Sequence, residues 1–144
     1  MTDLTPLERA LALAVRQHAG QADKAGAPYI LHVLDVWQAV RADGHDETHQ
    51  VAALLHDVVE DTDTTIAEIE QTFGAAVAAA VEALTHRPNE PNADYLARVK
   101  ANPVARIVKL ADSRNNHGRI GNITDAATRD RLTAKYQRVF DTLG

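Results

Sequence analysis

Four residues of this chain carry more chemistry than their surroundings account for: His32, His56, Asp57 and Asp112. Each interrupts an apolar run. His32 stands between Ile30-Leu31 and Val33-Leu34, His56-Asp57 follows Ala53-Leu54-Leu55, and Asp112 follows Val108-Lys109-Leu110-Ala111. Burying an imidazole or a carboxylate without a partner is costly, and a lone histidine in such a place is most simply a hydrogen-bonded core residue. Four such residues from three separate segments ask for a different explanation. Two imidazoles and two carboxylates form a mixed nitrogen and oxygen donor set that suits a divalent cation and leaves positions open for water and substrate. A cation held this way acts as a Lewis acid and lowers the pKa of bound water. Glu60 and Asp61, one turn further on, are placed to orient that water and move its proton. On one continuous helix, His56 and Glu60 share a face and Asp57 and Asp61 lie beside them.

Composition narrows the options. The chain has 144 residues and no cysteine, which excludes disulfides, thiolate metal sites and a cysteine nucleophile, so any metal must sit on His, Asp or Glu. The length suits one domain spanning residues 1–144 with a hydrophobic core of its own. A formal net charge of −5 argues against a general nucleic-acid surface, whose affinity rests on Lys and Arg neutralising phosphates. A small anionic substrate is still compatible with it, because a bound cation reverses the local field. The start, Met1-Thr2-Asp3-Leu4-Thr5-Pro6, lacks the pattern of a signal peptide, and no segment has the apolar length of a membrane span. The expectation is a cytoplasmic protein without a membrane partner.

The elements that must position these residues all read as helices. Thr5-Pro6-Leu7-Glu8 is a capping box with proline at the first helical position and predicts a helix to about His18. After a loop from Gly20 to Gly26, helical spacing resumes at Tyr29 and stops at Gly44. Asp46 caps a third helix that runs through Val58 and Val59 to the turn at Asp61-Thr64, and Thr65 with Glu68 opens a short one to Phe73. Further helices are predicted over Ala75–Thr85, Asp94–Lys100, Pro103–Asn116 and Asp125–Leu143, with the proline-containing segment His86–Asn92 as a loop. Strand candidates are scarce, and the pattern predicts a bundle-like all-α domain.

With the residues in place, a resemblance is evident. Pro28-Tyr29-Ile30-Leu31-His32, then Ala53-Leu54-Leu55-His56-Asp57-Val58-Val59-Glu60-Asp61-Thr62-Asp63-Thr64-Thr65, then Val108-Lys109-Leu110-Ala111-Asp112 with Asn116 resemble HD-superfamily phosphohydrolases. Within that superfamily, the likeness is to the hydrolase domain of the RelA/SpoT enzymes and the stand-alone small alarmone hydrolases. It covers nearly the whole chain and implies a single HD-type helical bundle. It further implies metal-dependent removal of pyrophosphate from the 3′ position of guanosine tetra- or pentaphosphate, usually with manganese. By the same resemblance His32, His56, Asp57 and Asp112 hold the metal, and Glu60 and Asp61 match a catalytic pair. Asn116 matches a substrate-binding asparagine, and Tyr136 matches a tyrosine of the last helix near the nucleotide.

Two departures stand out. Where those relatives carry a loop arginine that packs on the guanine base, this chain has Asp23, with Lys24 as a cation for the base or a phosphate. A carboxylate there would repel phosphates and cannot stack on a base, so relaxed guanine selectivity is expected, and an adenosine-based or other nucleotide is the alternative substrate. A nucleotide-binding regulator without turnover is the alternative of a different kind. Val33 replaces a proline that commonly follows the first histidine and reads as a packing change. His45, His49 and His117 are expected at the surface, His18 at a helix end and Trp37 in the core. Lys109 and Arg114 suit either phosphate contacts or ion pairs.

Overall fold

The computed structural model describes residues 3–144; Met1 and Thr2, part of the N-terminal stretch read above, lie outside the described residues. Those residues form nine α-helices and one short 3-10 turn, with no strand beyond a single isolated bridge between Ala22 and Pro28. The helices are α1 (Pro6–Gln17), α2 (Tyr29–Ala42), α3 (Glu47–Leu55), α4 (Val58–Asp61), α5 (Ile66–Phe73), α6 (Ala75–Leu84), α7 (Asn92–Ala101), α8 (Pro103–Gly118) and α9 (Ala126–Leu143). The all-α expectation holds. Among the described residues, no helix is long and apolar enough to cross a membrane.

Local chemistry starts the helices where the caps predict. Thr5 Oγ1 accepts the Glu8 N–H at 3.2 Å while Glu8 Oε1 accepts the Thr5 N–H at 2.9 Å, the full capping box. Asp46, Asn102 and Asp125 cap α3, α8 and α9 by side-chain bonds to the first free amides. At α5 only half of the expected box forms, with Thr65 accepting from the Glu68 N–H.

α3 is the central element. Val51 to Leu55 are all buried, and the helix packs against α1, α2, α6 and α8. Two hydrophobic clusters meet around it: one gathers α1 and α6 residues with Leu54 and Leu55, the other joins α7, α8 and α9 through Val99, Val108 and Leu143. Trp37 of α2 touches both and donates its indole N–H to Gln50 Oε1 at 3.2 Å. Burying one leucine contributes roughly 1.5–3 kcal/mol, so this inner helix anchors the architecture.

The third helix differs from expectation. It ends at Leu55, and His56-Asp57 form a turn before α4 begins at Val58. The imidazole of His56 folds back and donates from Nδ1 to the Ala53 carbonyl at 2.7 Å, so a side chain takes an acceptor at the helix end. α4 is then held separately by Thr62, whose hydroxyl donates to the Val58 carbonyl at 2.5 Å.

Candidate metal centre and ligand cleft

α2, the α3–α4 turn and α8 bring the four residues to one point. His32 Nε2 lies 2.7 Å and His56 Nε2 3.2 Å from the same oxygen, Asp112 Oδ1, and His56 Nε2 is 3.0 Å from Asp57 Oδ2. One ligand atom from each residue falls within 4.8 Å of the others. His32, His56 and Asp112 are buried and Asp57 nearly so.

The neighbours aim these groups. His32 Nδ1 is 2.6 Å from Asn115 Oδ1, and His56 Nδ1 is bound to the Ala53 carbonyl, so each ring has a fixed acceptor on one side and turns Nε2 to the common point. That is how a histidine is prepared for metal coordination, with its other nitrogen oriented by a hydrogen bond. Tyr29 donates its hydroxyl to Asp57 Oδ2. Asn116 Nδ2 reaches Asp112 Oδ1 at 3.3 Å, and Lys109 Nζ lies 3.4 Å from Asp112 Oδ2.

Electrostatics point the same way. Burial works against an ionised Asp112, but Lys109, His32 and His56 outweigh it and hold its carboxyl well below the ordinary range. Burial likewise opposes charge on His56, yet Asp57 and Asp112 raise its pKa well above the usual histidine value. The cluster therefore stabilises positive charge at its centre, and two carboxylates with two imidazoles balance a divalent ion. The donor set fits such an ion: His32, His56, Asp57 and Asp112 could hold it.

Glu60 and Asp61 lie on α4 at the solvent side of this cluster rather than on a shared face of one long helix. The Glu60 carboxylate accepts the His86 N–H at 3.2 Å. Burial, with Asp57 and Asp61 nearby, raises the pKa of Glu60; burial and Asp57 do the same for Asp61.

Beside the cluster opens a cleft of about 300 Å³, and Tyr29 and Asn116 belong to both. Lys24, Asn116 and Tyr136, singled out in the sequence, line it together with Arg119, Lys135 and Leu132; Glu60 and Asp61 do not. Among the described residues neither Lys24 nor Lys135 forms an ion pair, so both ammonium groups are free to meet an anion. Burial of Lys135, with Lys109 and Lys24 near it, pulls its pKa below the ordinary lysine value.

Asp23 is not the free carboxylate expected from the sequence. Its Oδ2 pairs with Arg119, and its Oδ1 accepts the N–H groups of Ala25 and Ala27 at 2.9 Å each, so its charge is compensated although it lines the cleft. The repulsion of phosphates expected from Asp23 is therefore offset by its pairing, while position 23 still offers no planar group to stack on a base.

Of the remaining residues, His18 ends α1 buried, with Nδ1 2.9 Å from Gln21 Oε1. Lys109 is an ion-pair residue of the cluster, set over the Tyr95 ring at 5.3 Å to the centroid. His117 is exposed, whereas His45 and His49 are half-buried and stacked on each other at 4.9 Å. Tyr29, read in the sequence only as part of a motif, and Asn115 carry no site role there, although each stands three residues from a ligand-type residue and so shares its helical face. Arg119 and Lys135 gave no such signal.

The class follows from these features and from comparison. The HD domain family profile matches residues 10–106, and the chain belongs to that family. It is 37% identical over 118 residues to the guanosine-3′,5′-bis(diphosphate) 3′-pyrophosphohydrolase of Aquifex aeolicus, a match covering 76% of this chain and 17% of that one. It is 40% identical over 112 residues to the enzyme of the same name, MESH1, of Danio rerio, covering 72% and 62% respectively. A solved structure of a metazoan ortholog of SpoT, described as hydrolysing ppGpp and acting in starvation responses, superposes with a TM-score of 0.85 at 28% identity, covering 99% of this chain and 88% of the other. This chain spans about a sixth of the Aquifex relative's length and about three fifths of the zebrafish one.

Proposed function

We propose that residues 1–144 form one HD phosphohydrolase domain that removes pyrophosphate from the 3′ position of guanosine 3′,5′-bis(diphosphate) or its pentaphosphate counterpart. The observation that carries this is the juxtaposition of the His32, His56, Asp57 and Asp112 donor cluster with a cleft whose unpaired cations are Lys24 and Lys135. The names of the Aquifex and zebrafish relatives specify the reaction.

In this reading the four residues hold the metal, with manganese as the expected ion. When bound, a divalent cation supplies Lewis acidity, polarising a phosphoryl oxygen and easing deprotonation of water at neutral pH. The chain's own groups do the rest. Lys24 and Lys135 draw the phosphates into the cleft, Tyr136 walls it, and Asn116 braces Asp112 while facing the ligand. Glu60 and Asp61, from the other side, accept the proton of the attacking water, whose oxygen joins phosphorus as the bond to the ribose 3′ oxygen breaks. The 3′ oxygen takes up a proton, and the products are pyrophosphate and guanosine 5′-diphosphate, or guanosine 5′-triphosphate from the pentaphosphate. The raised pKa of Glu60 suits a group that must take a proton and give it up again. A cytoplasmic setting, where such nucleotides occur, belongs to the same reading.

One observation favours a second reading: loop position 23 carries an acid tied to Arg119, so another nucleotide, adenosine-based alarmones included, is the competing substrate. A manganese-supplemented assay of guanosine tetraphosphate beside a panel of nucleotides, with products identified, decides between them. Release of pyrophosphate and guanosine 5′-diphosphate at the highest kcat/KM supports the first reading. Preference for another nucleotide supports the second, and binding without turnover would make the domain a regulator.

A further inference from the structure

The feature of the cleft that neither the donor cluster nor the two free lysines explain is the Asp23–Arg119 pair. It joins residues 96 positions apart, from the loop before α2 and the end of α8. Asp23 is saturated: Oδ1 takes two backbone amides and closes the turn over Ala25–Ala27, where Gly26 has φ +88°, a conformation glycine adopts without strain. Oδ2 holds one terminal nitrogen of Arg119.

A guanidinium held through one terminal nitrogen has its two faces and its other N–H groups left over. Side-chain exposure is 10% for Asp23 and 26% for Arg119, so the carboxylate is the hidden member and the guanidinium the one presented to the cleft. The cleft it lines also holds apolar and aromatic surface from Ile123, Leu132 and Tyr136, Leu132 and Tyr136 themselves buried, beside the polar Asn116 and Asn122. The pair is close to neutral as a unit, which makes it a poor anchor for phosphate while Lys24 and Lys135 stand unpaired nearby. A flat, charge-compensated guanidinium in a cleft that also offers apolar surface is suited instead to packing against a planar aromatic group.

We propose that Arg119, tethered to Asp23 through one terminal nitrogen, is the platform on which the nucleobase of the substrate stacks, and is thus the residue of this chain that recognises the base. The assignment rests on the reading that the cleft takes a nucleotide. Asp23 is a positioning residue that sets the plane of the guanidinium.

The test compares Arg119→Gln, Arg119→Lys and Asp23→Asn with wild type. Readouts are kcat and KM for guanosine tetraphosphate with manganese, inhibition by inorganic pyrophosphate as a probe without a base, and Tm. Arg119→Lys is the decisive variant, because lysine keeps the ion pair with Asp23 and loses the flat face. Stacking predicts that Arg119→Gln and Arg119→Lys both raise KM by about tenfold or more, the scale of one lost base-stacking contact, with kcat and the pyrophosphate inhibition constant unchanged. Asp23→Asn, which leaves the guanidinium in place but loosens it, raises KM less. If Arg119→Lys retains the wild-type KM, the pair is only a tie between loop and helix and the proposal is overturned. If pyrophosphate inhibition weakens in step with KM, Arg119 binds phosphate and the proposal is equally overturned. Absence of turnover in the wild type would instead refute the parent reading; nucleotide binding with and without the base, compared across the same variants, then decides the role of Arg119.

Discussion

His32 and His56 direct their Nε2 atoms to one point because each Nδ1 is already held, by Asn115 Oδ1 at 2.6 Å and by the Ala53 carbonyl at 2.7 Å. The first of these holds can be removed without touching a ligand. Asn115→Leu frees the His32 ring to rotate and should weaken metal affinity by about 10–100-fold, the usual cost of losing an orienting partner. Titration with manganese checks this, and unchanged affinity would show that packing alone fixes the ring. Glu60 tests the division of roles. Glu60→Gln keeps the shape and the hydrogen bond from His86 but cannot accept a proton, so metal content should be retained while the rate falls about 10²–10⁴-fold. Loss of metal in that variant would make Glu60 a ligand.

At the scale of elements, the turn at His56-Asp57 matters most, because it lets Asp57 face the cluster while Glu60 points toward the next loop. That loop, between α6 and α7, is held by Arg98. Its guanidinium donates to both oxygens of Glu90 at 2.7 Å and to the carbonyls of Thr85 at 2.8 Å and Glu82 at 3.2 Å. The Arg98 hydrogen bonds pull the Glu90 pKa down to about 2. A carboxylate depressed in the folded state contributes stability that is fully present above its unfolded pKa, about 4.3 for glutamate, and is lost as pH falls toward the folded value. Glu90→Gln should therefore lower Tm at neutral pH, and the gap from wild type should close as the pH is taken from about 5 toward 2. Thermal melts of the two proteins across that range check the sign; a gap that widens in acid would contradict it.

On the scale of the whole molecule, α3 joins the two hydrophobic clusters and also ends at the candidate metal centre, so stability and site geometry depend on one helix. Leu55 is wholly buried directly before His56. Leu55→Ala should destabilise by about 2–5 kcal/mol through the lost transfer energy and the cavity left behind. Because the cavity opens beneath the turn, metal affinity should fall as well. Urea denaturation and a manganese titration on the same variant test the coupling, and a stability loss with no change in affinity would mean that the turn is held independently of the core.

Much of this protein is determined locally and can be read from its residues. Cap chemistry and 3.6-residue periodicity involve neighbours within four positions, which is why the helix starts at Thr5, Asp46, Asn102 and Asp125 and the stops at Gly44 and Gly74 are legible without a structure. The ligand-type residues are legible for the same reason, since ionisable groups inside apolar runs mark themselves. The His56-Asp57 turn was hidden, because the apolar pattern continues through Val58 and Val59 whether or not the backbone breaks. Only the tertiary structure decided what Asp23 does. Its partner Arg119 lies on a different element, and nothing in either local segment signals the other. A charge that reads as a free acid in the sequence becomes half of a buried-edge pair once the loop before α2 folds against the end of α8.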